Sequence, residues 1–522
     1  MNFRITALLF ALCAAPLGWL ISRFNFLCDD AFISFRYARH LAAGNGLRFN
    51  LGVEPPVEGY TNFLWILLYT PFEWLELDVG LLSRAVSITL AFGVLFLLIR
   101  LVGVRLTALG QERPWIAMLA AGSFLGLHPA FGVWATSGME TMAFTFCLFL
   151  GFERLMLDPS RARAVQGSLA LICAALLRAD GVVLCFSVLA GVALWRRHRS
   201  PRERGMTLIK VSLSVAIVVG AQVLFRFLYH GDIVPNTAHA KVSFGSALTL
   251  HRGSLYVGHF LLLFPAVLLA PVLALVRPSP EFAKVRKLGF AAAIPFACIY
   301  LWSLAVGGDY MAFGRFLVPA IPFAAFLFGC AAASPGSRVL GPIRAAVLVG
   351  LLVTQVLPSF ERSAVPESLL VATNFRLHKP YESQVTAWRG LVKGVERGRL
   401  KGELLAKYAE PGDSLVAGAV GAQAYFSRLF IHDRLGLVTR EVALRDVKPR
   451  ARAAGHDKGV SASFFLKDRP TIMHLDLAKE KAGRQFVVPA ELTEEYVVVR
   501  LPAEKGAMLR LIVRRDSHFA EL

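Results

Sequence analysis

The sequence predicts an α-helical polytopic membrane bundle followed by a C-terminal α/β soluble domain. Three observations carry that prediction. The 522 residues are 56% hydrophobic with a mean hydropathy of +0.55, far above what a soluble globular domain uses. Apolar stretches of roughly 15–23 residues recur up to residue 358, close to the ~20 residues a helix needs to cross a bilayer. From residue 359 onward the composition turns to an ordinary globular mix. Helices suit the first part because every backbone polar group in lipid must be satisfied within its own segment.

About 11 transmembrane helices are expected, near 4–24, 82–104, 115–135, 139–153, 165–178, 181–195, 207–229, 254–276, 288–306, 313–333 and 343–358. With the N-terminus cytoplasmic, the short cytoplasmic loops carry Arg105 and Arg113, then Arg154, Arg161 and Arg163, then Lys284, Arg286 and Lys287. The opposite turns near 136–138 and 307–312 carry no Lys or Arg. This is the positive-inside bias. It absorbs much of the +20 net charge without nucleic acid. The first span reads as an uncleaved anchor, since no small-x-small site precedes the acidic pair after it. The seven cysteines all precede residue 358 and read as core packing.

Within this topology segment 25–80 is an outer loop, too long for a plain connector. Asp29 or Asp30 can cap a helix in which Phe32, Phe35, Ala38 and Leu41 share a face, with Arg36 and Arg39 on the other side. That pattern suggests a helix lying at the membrane surface, ended by GNG at 44–46. Further outer segments are 230–253 and GGDYMAFGR at 307–315, and LLRADGVV places a break at Arg178 and Asp180. The polar residues embedded in apolar sequence therefore gather on one side of the membrane. In the C-terminal part, helical spacing runs through 382–408, a strand–helix–strand pattern follows, and TIMHLDL, EYVVVRL and AMLRLIV read as strands.

An acidic pair beside a span is costly unless it faces water, a partner or a substrate. Asp29 and Asp30 are therefore the candidate catalytic residues. A carboxylate there can act as general base on a hydroxyl, and Asp30 can hold a divalent cation such as Mg or Mn. Arg36, Lys241, His239 and Arg315 are cations suited to a lipid-linked phosphate. The competing role for any one of them is a snorkelling cation at the interface. Glu58, Tyr60, Asn62, Asn236 and Asp309 can line a sugar or acceptor site, and equally can serve loop hydrogen bonding. Glu140 at the start of a span also fits simple helix capping. The chain contains no Walker loop, Rossmann fingerprint or HExxH, so no nucleotide cofactor is expected.

DDAFISFRYARHLAAGNGLRFN followed by VEGYTNFLW resembles the first outer loop of GT-C superfamily membrane glycosyltransferases. The likeness is greatest to terminal β-(1→2)-arabinofuranosyltransferases. WATSGMET, YHGDIVPNTAHAK, GGDYMAFGRFLVP and HDRLGL are similar to further landmarks of that family and occur in the expected order. The resemblance implies a bacterial inner-membrane enzyme that moves a sugar, expected to be arabinofuranose, from a polyprenyl-phosphate donor to a glycan, lipid or protein hydroxyl. It places the family's acidic motif on Asp29 and Asp30. It implies a catalytic domain over 1–358 and a periplasmic domain over 359–522 that serves acceptor binding. The alternatives are a GT-C transferase for mannose or aminoarabinose, and a transporter or flippase of lipid-linked sugar.

Overall fold

Apolar helices dominate the first 360 residues of the computed structural model, which describes residues 3–157, 160–196, 201–241, 246–276, 282–333, 340–377, 379–447, 457–479, 486–503 and 507–522. Each window expected to span coincides with a helix, but the helices do not support a count of 11. Among the described residues six are individually long and apolar enough to cross a membrane, and a seventh qualifies only if Ala247–Leu263 and Pro265–Leu275, bent by 82°, form one span. The physical reason is proline. Pro129 and Pro265 each open a new helix, so one apolar stretch becomes two shorter pieces. Other windows hold helices of 15–17 residues, such as Gly181–Trp195 and Arg161–Leu177. The helix Pro201–His230 presents a row of exposed apolar side chains, among them Ile209, Leu213, Ile217 and Leu224. A row of that kind is stable only against apolar surroundings.

The C-terminal part forms a five-stranded mixed sheet: β1 (Ser414–Ala417), β2 (Phe430–Asp433), β3 (Ile472–Lys479), β4 (Tyr496–Pro502) and β5 (Ala507–Arg514). Its order is β2-β1-β3-β5-β4, with β1 parallel to β2 and β3, and β5 antiparallel to β3 and β4. Alternate inward residues build its core, including Leu415, Ile431, Ile472, Leu511 and Val513. The long amphipathic helix Gln384–Ala406 starts where Ser383 accepts from the Thr386 amide at 3.1 Å.

The helix Asp29–Ala42 joins the two parts. Cys28, not an aspartate, is its N-cap. It does not lie at a membrane surface with one polar face in water, because Phe32, Phe35, Ala38, Arg36 and Tyr37 are all buried. It is sandwiched between the bundle and the C-terminal domain. Arg36 was expected at a phosphate, but its guanidinium donates to the carbonyls of Phe49 (2.7 Å), Ala424 (2.6 Å) and Leu429 (2.7 Å), and to Asn50 Oδ1 at 3.3 Å. A buried cation is tolerated only when paired or fully hydrogen-bonded, and these carbonyls provide that. Asn50 adds a two-way bond to the backbone of Ile431 at 2.8 and 3.0 Å. Tyr425 donates to Glu73 at 2.7 Å, and the Arg39 guanidinium stacks over the Tyr425 ring at 3.5 Å. Arg252 pairs with Asp457 at 2.9 Å.

Replacing Arg36 by Met keeps an apolar stem but leaves buried carbonyls unpaired. The expected loss is on the order of 3 kcal/mol. It should appear as a lowered thermal midpoint in detergent and faster proteolysis between residues 360 and 384. A variant with the wild-type midpoint contradicts the clamp.

Candidate functional site

A cavity of about 650 Å³ lies between the helix ends and the sheet. One wall comes from the helix Asp29–Ala42, through Asp29, Asp30 and Ser34. Tyr60, Thr61 and Asn62 follow from the chain entering the helix Phe63–Trp74, and Glu140 stands at the start of Thr141–Met156. Arg178 and Asp180 come from the break between Arg161–Leu177 and Gly181–Trp195. Lys241, Asp309, Tyr310 and Arg315 complete the polar lining on the bundle side, next to apolar Trp302, Val306 and Phe316. The C-terminal domain closes the cavity with Gly418, Ala419, Val420, Leu435 and Leu437.

Arg315 organises the charges. Its Nε lies 2.8 Å from Asp309 Oδ2 and its Nη1 3.8 Å from Asp30 Oδ2. Among the described residues the Asp30 carboxylate accepts no hydrogen bond, and its side chain is 18% exposed. Asp29 differs. Its Oδ1 accepts from the Ala422 amide at 2.9 Å and its Oδ2 from the Gly421 amide at 3.1 Å. Burial raises the Asp29 pKa to about 6, opposed by the two amides and reinforced by the charge of Asp30. The two adjacent carboxylates are therefore in different chemical situations: Asp29 is held, and Asp30 faces the cavity.

Arg178 holds Asp180 through two bonds of 2.8 Å, and its Nη1 is buried without a hydrogen-bond partner among the described residues. Such an unsatisfied donor is expensive unless something enters to accept it. Asn62 donates to Glu140 at 3.0 Å and to Ser34 at 2.9 Å, which orients the Glu140 carboxylate.

Of the residues expected at a site, the structure brings together Asp29, Asp30, Tyr60, Asn62, Lys241, Asp309 and Arg315. The Tyr60 hydroxyl, however, is 3.2 Å from His230 Nε2. Four others do not line the cavity. Arg36 is the clamp described above. His239 pairs with Asp232 at 3.0 Å. Glu58 is paired with Arg226 at 2.5 Å, with burial pushing its pKa to about 7 against that partner. Asn236 donates to the carbonyls of Gly436 and Leu437, each at 2.8 Å. Each of the four makes an internal polar contact, although Asn236 Oδ1 is buried without a hydrogen-bond partner among the described residues.

The sequence reading did not assign Arg178, nor the glycine-rich loop after β1, to the site. Arg178 was visible as a charge breaking two spans. The loop carries no charge that could have marked it.

Among the described residues no group of three His, Cys, Asp or Glu side chains could hold a metal ion, and the Asp30 and Asp309 carboxylates both face the Arg315 guanidinium.

The fold is similar to that of ArnT from Cupriavidus metallidurans bound to undecaprenyl phosphate, at 15% identity, a TM-score of 0.55 and 98% coverage of both chains. The apo form of the same protein gives a TM-score of 0.52 at 14% identity over 97% of both chains. The chain shares the fold of that protein. Its apolar helices make it a multi-pass membrane protein. In sequence it is 28% identical over 350 residues to the terminal β-(1→2)-arabinofuranosyltransferase of Mycobacterium tuberculosis, covering 58% of this chain and 52% of the relative. It is also 28% identical over 352 residues to the Corynebacterium glutamicum protein of the same description, covering 60% of this chain and 48% of the relative. The chain thus spans about half the length of the curated relatives it matches. A family model described as "Domain of unknown function (DUF8728)" matches residues 383–516, beyond the apolar helices.

The charge arrangement predicts no stabilisation by added Mg or Mn. The thermal midpoint of purified protein should stay unchanged as either ion is titrated. A saturable rise that disappears in Asp30→Asn would contradict that prediction.

Proposed function

We propose that this protein is a membrane glycosyltransferase that moves a sugar, arabinofuranose in the reading we favour, from a polyprenyl-phosphate donor to a hydroxyl acceptor on the extracytoplasmic side. One observation carries the proposal: Asp30 faces a cavity whose bundle side also holds Arg178, Arg315 and Lys241. The similarity to arabinofuranosyltransferases supports the choice of sugar, and the fold shared with an undecaprenyl-phosphate-bound protein supports a lipid-phosphate donor.

The chemistry follows from the charges. The polyprenyl chain lies against the apolar side of the cavity at Trp302, Val306 and Phe316. Its phosphate meets Arg178 Nη1, the unsatisfied donor, together with Lys241 and Arg315. Guanidinium groups match phosphate oxygens in geometry and strengthen as charge develops on a leaving group in a low-dielectric site. Asp30 accepts the proton of the acceptor hydroxyl as its oxygen bonds to the anomeric carbon. The bond from that carbon to the phosphate oxygen breaks, and polyprenyl phosphate leaves with the electron pair. Asp309 holds Arg315 in place, and Asn62 and Glu140 offer hydrogen bonds to sugar hydroxyls.

A donor panel of decaprenyl-phosphate-linked arabinofuranose, mannose and aminoarabinose, radiolabelled and offered with an arabinoside acceptor, tests the reading. Transfer from the arabinofuranose donor is expected. Asp30→Asn should lower kcat by roughly 10²–10⁴-fold, the usual contribution of a general base. Arg178→Gln should raise the donor KM by about tenfold through loss of a charge-assisted bond. Full activity in Asp30→Asn would refute its role. Movement of labelled lipid across vesicles with no transfer from any donor would replace the enzyme by a transporter.

A further inference from the structure

The C-terminal wall of the cavity is built from two loops, and a side chain from the membrane part ties each of them. The first loop follows β1. Gly418, Ala419 and Val420 line the cavity, and the next two amides, of Gly421 and Ala422, are the ones Asp29 accepts from. The approach is so close that a Cβ on Gly421 would stand 1.9 Å from the Asp29 carbonyl oxygen. The second loop follows β2. Leu435 and Leu437 line the cavity, and the carbonyls of Gly436 and Leu437 accept from Asn236. From within the domain, Asp433 accepts from the amides of Leu435 at 2.8 Å and Val438 at 3.0 Å.

Both loops leave the carboxyl ends of adjacent parallel strands. In open α/β sheets that edge is where ligands bind, because the loops there diverge and leave a crevice. Here the crevice opens onto Asp30. We propose that Asp29 and Asn236 are positioning residues that hold the two loops as an acceptor-facing wall opposite Asp30. The C-terminal domain then determines which hydroxyl reaches the base. This rests on the transfer reading above. It gives the Asp29–Asp30 pair two jobs: Asp30 takes the proton, and Asp29 fixes the surface against which the acceptor lies.

The test uses the full-length protein in detergent or nanodiscs with the variants Asp29→Ala, Asp29→Asn, Asn236→Ala and Gly421→Ala. Two readouts are needed: steady-state kinetics with donor and acceptor varied separately, and amide hydrogen exchange over residues 418–427 and 434–439. Gly421→Ala breaks the Asp29 contact from the other side, by crowding the Asp29 carbonyl and carboxyl carbon while leaving both aspartates in the sequence. Asp29→Ala and Gly421→Ala are each expected to raise the acceptor KM roughly ten- to hundredfold, the range for losing a charge-assisted bond, with donor KM unchanged and faster exchange in 418–427. Asp29→Asn, which keeps one acceptor oxygen, should fall between these and wild type. The Asp29→Ala/Gly421→Ala double variant should be no worse than the worse single. Asn236→Ala should loosen 434–439 in the same way. Loss of kcat in Asp29→Ala with wild-type exchange and acceptor KM would overturn the proposal and make Asp29 catalytic. Faster exchange with an unchanged acceptor KM would overturn the wall's role. If wild-type protein transfers sugar from no donor, the transfer reading fails. The exchange data still decide the positioning, since unchanged exchange in both single variants would refute it.

Discussion

The amides of Gly421 and Ala422 bond to the carboxylate of Asp29, and the rest of the site depends on that seam. Without it the cavity has a floor and no lid. The bundle alone supplies charges at helix ends, which water would screen. The sheet domain, pressed onto those ends, excludes water and lowers the local dielectric. That strengthens every interaction made by Arg315, Asp309 and Asp30.

The seam is wide, and one kind of contact recurs along it. Side chains of the membrane part reach across to backbone groups of the C-terminal domain. Arg36 takes two carbonyls there, Asn50 both sides of Ile431, Asn236 two more carbonyls, and Arg39 the carbonyl of Tyr425 at 2.9 Å. Backbone groups at loop ends have no partner in a sheet or helix and cost free energy when buried unpaired. Meeting them with side chains from the other part converts that cost into docking specificity. The same arrangement leaves Arg178 with one unsatisfied donor and Asp30 without an accepted hydrogen bond among the described residues, both facing the cavity. Groups left unsatisfied inside an otherwise well-paired region are where a ligand gains most.

Much of the architecture was legible because it follows from periodicity. Apolar windows became helices, and the alternation in TIMHLDL, EYVVVRL and AMLRLIV became β3, β4 and β5. The span count was less legible. Hydropathy averages across the breaks at Pro129 and Pro265 and cannot see the 82° bend. At the site, Asp30, Asp309, Arg315, Lys241 and Asn62 were legible as polar residues in apolar sequence. Arg36, His239, Glu58 and Asn236 gave the same signal for another reason. A polar group bound to a ligand and one bound to another part of the same protein look alike in one chain, because burial must satisfy both. The loop after β1 gave no signal, since it contributes backbone and small residues and no charge.

A structure of the protein with a polyprenyl phosphate bound is the most direct test of the account. The account predicts the phosphate within hydrogen-bond reach of Arg178 Nη1 and close to Arg315 and Lys241, the lipid chain leaving past Trp302 and Phe316, and Asp30 on the same cavity facing the loops after β1 and β2. A phosphate seated instead among Arg39, Arg84 and Arg399, in the cleft on the other side of the helix Asp29–Ala42, would contradict it.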